Sequence, residues 1–486
     1  MSRSWSADNE PRSPAIDILD DYSLLHIFSL SRPTILDETE VDNDELLDGG
    51  EWSRERWWNG LIQVCRRWRY IVLESAFHLR ISLVCARGTP VADMLAHSPL
   101  LPIIIDHLDD YDNITPEDEE GIILALQHRD RVRRIRLGKA VPILQKLTKA
   151  LDGEFPILEY LLIEQQRYQK PRIGPNTHLN LPETFRAPHL RQLILTNFAI
   201  PIESPMLTTM GNLVALSLNS IPSSAYFHPA VLLQRLLLMP QLETLGIFFN
   251  SYDPNRERQL SRTRIMTRVT LPNLRWLGYQ GTSAYLEALL PWVSIPLLEK
   301  LQVYFFNRLI YSIPRLEQLL SAARNLRLKT TTVTFDEDFL SVMGYPNNGA
   351  KMYSLDMKLG GKLLDWQVVS AAQVLQALRK VFSAVEHLTL EYDREIISSE
   401  WVNQDDHTQW REVFGSFSNV KTLFVDGELV RKLSRALQPS EGGSSTELLP
   451  ELQELSSSAK SSLLDVFTPF VEARQKAGRT VTMIRP

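Results

Sequence analysis

The sequence predicts an α/β chain: a small all-α unit at the N-terminus, then an irregular solenoid of short parallel strands and helices. Three observations predict it. An apolar block of the form φ-x-x-φ-x-φ recurs ten times between Val132 and Val425. Prolines stand just ahead of several of these blocks. The stretch from Leu61 to Leu83 instead carries apolar residues at helical spacing.

At 486 residues the chain is too long for one compact core and asks for two or three domains or one elongated array. With 44% apolar and 23% charged residues it has ample material for a core. A net charge of −6 gives no bias toward nucleic acid or acidic lipid. Two cysteines, Cys65 and Cys85, cannot build a disulfide framework, so a reducing compartment is expected. The opening MSRSWSADNEPRSP has charge and proline where a signal peptide needs an apolar run. No stretch is long enough for a membrane span, and a cytoplasmic or nuclear location is expected.

Residues 1–13 are polar and expected to be disordered. Asp20 is a candidate N-cap for a short helix with Leu24, Leu25, Ile27 and Phe28 apolar. From about 31 to 57 an insert carries Asp37, Glu38, Glu40, Asp42, Asp44, Glu45, Asp48 and Glu51 with no basic residue among them. Mutual repulsion predicts an extended, solvated loop, either a tolerated surface excursion or an acidic arm for a basic partner. Beyond it, Leu61, Val64, Cys65, Trp68, Ile71 and Val72 fall on one helical stripe with Arg66, Arg67 and Arg69 off it. That stripe either packs on the chain's own core or meets a foreign surface. Its continuity argues that Cys65 is buried.

Leu24-Leu25-His26-Ile27-Phe28 followed by Val64-Cys65-Arg66-Arg67-Trp68 resembles the F-box, and most of all the F-box proteins numerous in fungi. The resemblance implies a three-helix unit over residues 14–83 that docks on a Skp-type adaptor and, through it, on a cullin ubiquitin ligase. It implies adaptor-binding roles for Leu19, Leu24, Leu25, Ile27, Phe28, Val64, Cys65, Trp68 and Ile71. The chain departs from the family pattern in three places. Leu19-Asp20 stands for the usual Leu-Pro, Phe77-His78 stands for Leu-Trp, and the insert is long. These departures bear on adaptor affinity more than on fold.

Residues 84–486 hold the repeats. The blocks begin at Val132, Leu158, Leu190, Leu213, Leu242, Leu274, Leu298, Met352, Val385 and Val420. Their spacings run from 23 to 35 residues except for one of 54, where a degenerate copy near Thr331–Phe335 is expected to fill the gap. Each block ends in an alternation suited to a short strand. Pro156, Pro188, Pro240, Pro272 and Pro296 would end the preceding helix and extend the chain into it. Strand and helix at this period is the leucine-rich-repeat arrangement. The asparagine that a regular repeat places after the strand stands here only as Asn250, while Phe198, Ile221 and Phe306 hold equivalent places. An irregular horseshoe is therefore expected, with several α/β domains as the alternative. Gln438–Ser445 reads as a loop, Leu463–Lys476 as a helix and Thr480–Ile484 as a closing strand of a terminal cap.

The chemistry of catalysis is missing. The ten histidines form no His-x-x-x-His pair, there is no Cys-x-x-Cys, and no Gly-x-Ser-x-Gly elbow occurs. Gly344–Lys351 lacks the Gly-Lys-Ser/Thr of a phosphate loop. No metal, no cofactor and no enzymatic activity are expected. In a horseshoe the intervening strand positions line the concave face, here Tyr160, Gln192, Thr244, Trp276, Lys300, His387 and Thr422. Trp276 is either an interface anchor or a packing residue against the next repeat. Arg129, Arg131, Arg133, Arg134 and Arg136 crowd one repeat, and Arg256, Arg258, Arg262, Arg264 and Arg268 follow Asn250. They are either a solvated edge or a trap for acidic or phosphorylated client segments. The candidate client-binding residues are Tyr160, Trp276, Lys300, His387, Arg134 and Arg136. Nucleic-acid binding would want aromatic interleaving or a reading helix, and neither is evident. The expected function is substrate recognition for a cullin ubiquitin ligase; a ubiquitin-independent scaffold is the alternative, and nucleic-acid association through the arginine clusters the third.

Overall fold

The computed structural model describes residues 18–32, 57–98, 100–108, 114–165, 180–199, 202, 204–251, 260, 265–306, 313–323, 325–347, 349, 352–393, 407–437, 448–458 and 465–484. Residues 1–13, nearly all of the acidic insert, Arg256, Arg258, Arg262, Arg264 and the loop from Gln438 lie outside the described residues. By compactness the chain divides into residues 1–170 with 184–187, and residues 171–183 with 188–486. The expected boundary at residue 83 is not where this division falls. Leu79, Ile81, Leu83 and Leu101 share one core with the N-terminal helices.

The first unit begins with helix α1 (Asp21–Leu30). The Asp20 carboxylate accepts the Ser23 N–H at 2.6 Å, satisfying a donor of its first turn. Next come α2 (Asn59–Val64), α3 (Arg66–Glu74) and α4 (Ala76–Leu79). The stripe expected to form one helix is thus broken. Cys65 is extended, at φ −157° and ψ 171°, and its Sγ accepts the Trp68 N–H at 3.4 Å. The break costs helical hydrogen bonds but caps α3 and changes the phase of the stripe. Ile71 and Val72 turn inward, whereas Val64 and Cys65 face solvent. Cys65, expected to be buried, is exposed for that reason.

Strand β1 (Leu83–Cys85), α5 (Val91–His97), β2 (Ile103–His107), α6 (Pro116–Gln127), β3 (Val132–Lys139), α7 (Val141–Ala150) and β4 (Tyr160–Gln165) follow. The four strands run parallel in the order β1-β2-β3-β4. Helix α6 starts as its sequence dictates, with Thr115 as N-cap, proline at the first position and acids in the first turn.

The second unit opens with β5 (Gln192–Thr196), α8 (Pro205–Thr208), β6 (Ala215–Ile221), α9 (Pro229–Leu236) and β7 (Thr244–Phe249). It continues with β8 (Val269–Thr270), β9 (Trp276–Gly281), α10 (Ser283–Leu289), β10 (Val293–Ser294), β11 (Lys300–Phe305) and α11 (Pro314–Ala322). Then come β12 (Thr330–Asp336), β13 (Phe339–Tyr345), β14 (Leu355–Gly360), α12 (Leu364–Ala377), α13 (Arg379–Phe382) and β15 (His387–Asp393). Helix α14 (His407–Gly415), β16 (Thr422–Val425), α15 (Val430–Leu437), β17 (Glu454–Ser457), α16 (Thr468–Lys476) and β18 (Thr482–Ile484) complete it.

Within this unit the sheet order is β5-β6-β7-β9-β11-β14-β13-β12-β15-β16-β17-β18, with β8 and β10 paired separately. The middle apolar residues of successive blocks are register partners: Leu193, Leu216, Leu245, Leu277, Leu301 and Leu355 pair in turn, as do Leu388, Leu423 and Leu455. The degenerate copy at Thr331–Phe335 does not sit between its neighbours in sequence. Strand β14 pairs with β11, β13 runs antiparallel beside it, and β12 reaches β15 instead. The reason is the link between β12 and β13. It is Glu337-Asp338 alone, which allows a hairpin but not the long crossover that parallel strands need. Asp336 stabilises that turn by accepting the Asp338 N–H at 3.3 Å.

Burial alternates along β5, β11, β12 and β16. One face carries the block leucines and is buried, while the other carries half-exposed side chains. Parallel sheets covered on both faces read as continuous apolar runs, so this alternation marks a face that the described residues leave uncovered.

Candidate functional site

An aromatic pair and an arginine clamp join the N-terminal helices above their shared core. The Phe28 and Trp68 rings meet edge-on with centroids 4.8 Å apart. Arg67 donates from Nε to Asp21 Oδ1 at 2.8 Å and from Nη2 to the Leu19 carbonyl at 2.6 Å, tying α3 to the start of α1. The Asp20 carboxyl lies below its ordinary value because of the Ser23 backbone bond and, secondarily, the Ser23 side chain.

This frame sorts the residues that the F-box resemblance singled out. Leu24, Phe28 and Ile71 are buried in the unit's own core. Leu19, Leu25 and Trp68 are half-buried against it. Ile27 remains 41% exposed, Val64 59% exposed, and Cys65 is exposed. Other exposed apolar residues of these helices are Tyr22, Leu30, Tyr70 and Phe77, the last at 98%. Phe77 stands where the family pattern places leucine, which was its signal; Tyr22 and Tyr70 had none, because neither breaks helical periodicity.

The arginines of the first unit are dispersed by strand register. Arg136 is 4% exposed and pairs at 3.0 Å with Asp106, its register partner on β2, so the guanidinium expected at an open face is inside. Arg134 lies 4.5 Å over the ring of Tyr160, which is itself buried. Arg133 pairs with Glu159 at 2.9 Å, Arg131 donates to the Leu101 carbonyl at 3.0 Å, and Arg129 lies 3.9 Å from Asp152. Cys85 lies 4.0 Å from His107 Nε2, and burial, then the Asp118 charge, pushes its thiol up to about 12. It stays protonated at neutral pH.

The half-exposed face of the second unit holds Gln192, Thr244, Trp276 and Lys300 in one register row, with His387 opposite Thr422. Trp276 packs on Phe248 with centroids 6.2 Å apart and lies across Gly278, where a Cβ would strike the indole. The packing reading of Trp276 is therefore satisfied while part of the ring stays exposed. Lys300 Nζ sits 4.0 Å above the Tyr353 ring, and His387 Nδ1 lies 2.7 Å from Thr422 Oγ1. Gln302 donates to Asp356 at 3.2 Å, and Thr334 donates to Glu391 at 3.1 Å. The Tyr304 phenol is raised by burial and then by Asp338. Sequence reasoning missed Phe248 and Tyr304, because aromatic residues in a strand read first as core, and Tyr353, which stands just ahead of β14.

The result is a polar and aromatic strip whose side chains are held by their neighbours. Among the described residues no group of three or more His, Cys, Asp or Glu could hold a metal ion, and no helix is long and apolar enough to cross a membrane. No family model matches the sequence, and no curated protein matches it.

Proposed function

We propose that the chain is the substrate-recognition subunit of a cullin-type ubiquitin ligase. In this reading the helices α1 to α4 are an F-box that docks on a Skp-type adaptor, and the strand repeats are an irregular leucine-rich array that binds the client. The observation that carries it is the exposure of Ile27 and Val64 on a helical frame locked by Phe28, Trp68 and Arg67. Apolar residues left in water on a rigid frame suit a protein partner. The uncovered strip with Trp276, Lys300 and His387 suits the client, since a half-exposed aromatic on a rigid strand makes an interface anchor. Proximity is the mechanism: two interfaces on one chain raise the effective concentration of client lysines at the ubiquitin-charged enzyme. The test is co-purification of a Skp-type adaptor with the full chain and with Ile27→Asp and Val64→Asp. Loss of adaptor in both variants, with their circular dichroism unchanged, supports the reading; retention in both overturns it.

The burial of Leu24, Phe28 and Ile71 favours a second reading, in which the helices complete the unit's own core and the chain is a ubiquitin-independent scaffold. A client complex free of cullin would select it.

A further inference from the structure

In the second unit the small sheet of β8 and β10 stops one strand short. Its strands open just ahead of two neighbouring strands of the main sheet, Val269 before Trp276 of β9 and Val293 before Lys300 of β11. Strand β14, next after β11 in the main sheet, is reached instead through its hairpin with β13. The chain ahead of β14 is therefore that antiparallel strand and its turn. Among the described residues no third strand lies beside β10.

The backbone of β10 is consequently half used. Leu271 N–H donates to the Ser294 carbonyl at 2.9 Å, so Ser294 faces β8. By the alternation of a parallel ladder, Val293 and Ile295 then turn their backbone groups to the other side. The Val293 N–H closes the preceding turn on the Leu290 carbonyl. The Val293 carbonyl and the Ile295 N–H meet no partner among the described residues. Those two groups bracket one residue of a parallel neighbour, which would donate to the first and accept from the second.

There is room for such a neighbour. A groove of about 320 Å³ runs between β10 and α11, walled by Val293, Ser294 and Ile295 on one side and by Arg315, Leu319 and Ala322 on the other. That is within the usual range of ligand sites, about 300–1,000 Å³. Arg315 is the charged side chain of the lining among the described residues, and it is exposed. Its Nη1 donates to Gln318 Oε1 at 3.2 Å. The nearby Glu287 carboxylate is occupied by the N–H groups of Arg315 and Leu316, at 2.8 and 3.0 Å. Most of the guanidinium fork is thus left for a carboxylate, which it meets in two parallel hydrogen bonds. We propose that the groove between β10 and α11 binds an extended acidic peptide, which adds a third strand beside β10 and sets a carboxylate on Arg315. This interaction is independent of any adaptor bound to the N-terminal helices.

The experiment titrates the full chain with the peptide acetyl-Thr-Val-Glu-Val-Thr-amide, followed by ligand-observed NMR. Two altered peptides accompany it: one with glutamine for the glutamate, and one methylated at every backbone nitrogen. The parent should bind on the order of tenfold more tightly than the glutamine form, the worth of one charge-assisted hydrogen bond. The methylated form keeps the side chains but cannot pair as a strand, and it should not bind. Arg315→Gln should bring the parent to the level of the glutamine form. Ala322→Trp, exposed on the groove wall, should abolish binding of both. Absence of parent binding to the wild-type chain overturns the proposal. So does a methylated form that binds as well as the parent, or binding that neither substitution changes.

Discussion

The Phe28 ring is buried and meets Trp68 edge-on at 4.8 Å, so two residues of the F-box resemblance spend their surface on each other. Phe28→Ala should cost about 3–5 kcal/mol of stability, the usual loss for a large buried aromatic, measured by thermal or urea unfolding. Trp68→Ala should also destabilise the helices. Loss of a partner in either variant would report unfolding, whereas Ile27→Asp alters a side chain already in solvent.

The buried pair of Arg136 and Asp106 makes a second prediction. Asp106→Ala removes the carboxylate that Arg136 pairs with in the interior and should cost about 3–5 kcal/mol in urea unfolding. Replacing both, Asp106→Leu with Arg136→Met, should recover most of that loss. A single substitution without effect would show that the charge is met elsewhere.

Trp276 and Phe248 lie where the Cβ of a residue at 278 would go. Gly278→Ala should therefore cost about 1–3 kcal/mol through overpacking. In a Trp276→Ala, Phe248→Ala background the same change should cost little. A double-mutant comparison of unfolding midpoints distinguishes this from a backbone effect.

Asp118 predicts a pH dependence. Burial alone would raise its carboxyl, but the Gly88 N–H at 2.7 Å, the Thr115 hydroxyl at 3.0 Å and nearby His107 bring it below the ordinary 3.8. A depressed carboxyl stabilises the fold above its unfolded value and loses that contribution as pH falls through its folded value. Asp118→Asn should therefore be less stable than wild type at pH 7, and the gap should close below pH 3.8. Unfolding midpoints across that range check it; a constant gap would assign the role to shape instead of charge.

Much of the strand framework is legible in the residues. Each of the ten φ-x-x-φ-x-φ blocks runs into a strand, and from Leu193 through Leu355 the middle leucine of one block pairs with that of the next. A two-residue period and a buried face leave little choice of register. The break at Cys65 was not legible, because the stripe from Leu61 to Val72 fits one helix as well as two. The reversed order of β12, β13 and β14 had a readable cause, the two-residue link at Glu337-Asp338, hidden by the apparent gap between repeats. Of the candidate sites, the residue types on the half-exposed strip could be read off, but not which arginines were already spoken for.

By itself the sequence determined the local elements: where strands begin, which side of each is apolar, and which residues cap α1 and α6. Those follow from periodicity and capping, whose causes lie within a few residues. Tertiary structure alone decided that Phe28 and Ile71 face inward while Ile27 and Val64 remain in water, and that Arg136 meets Asp106. Each of these depends on what distant chain lies alongside, and a short-range pattern carries no record of that neighbour.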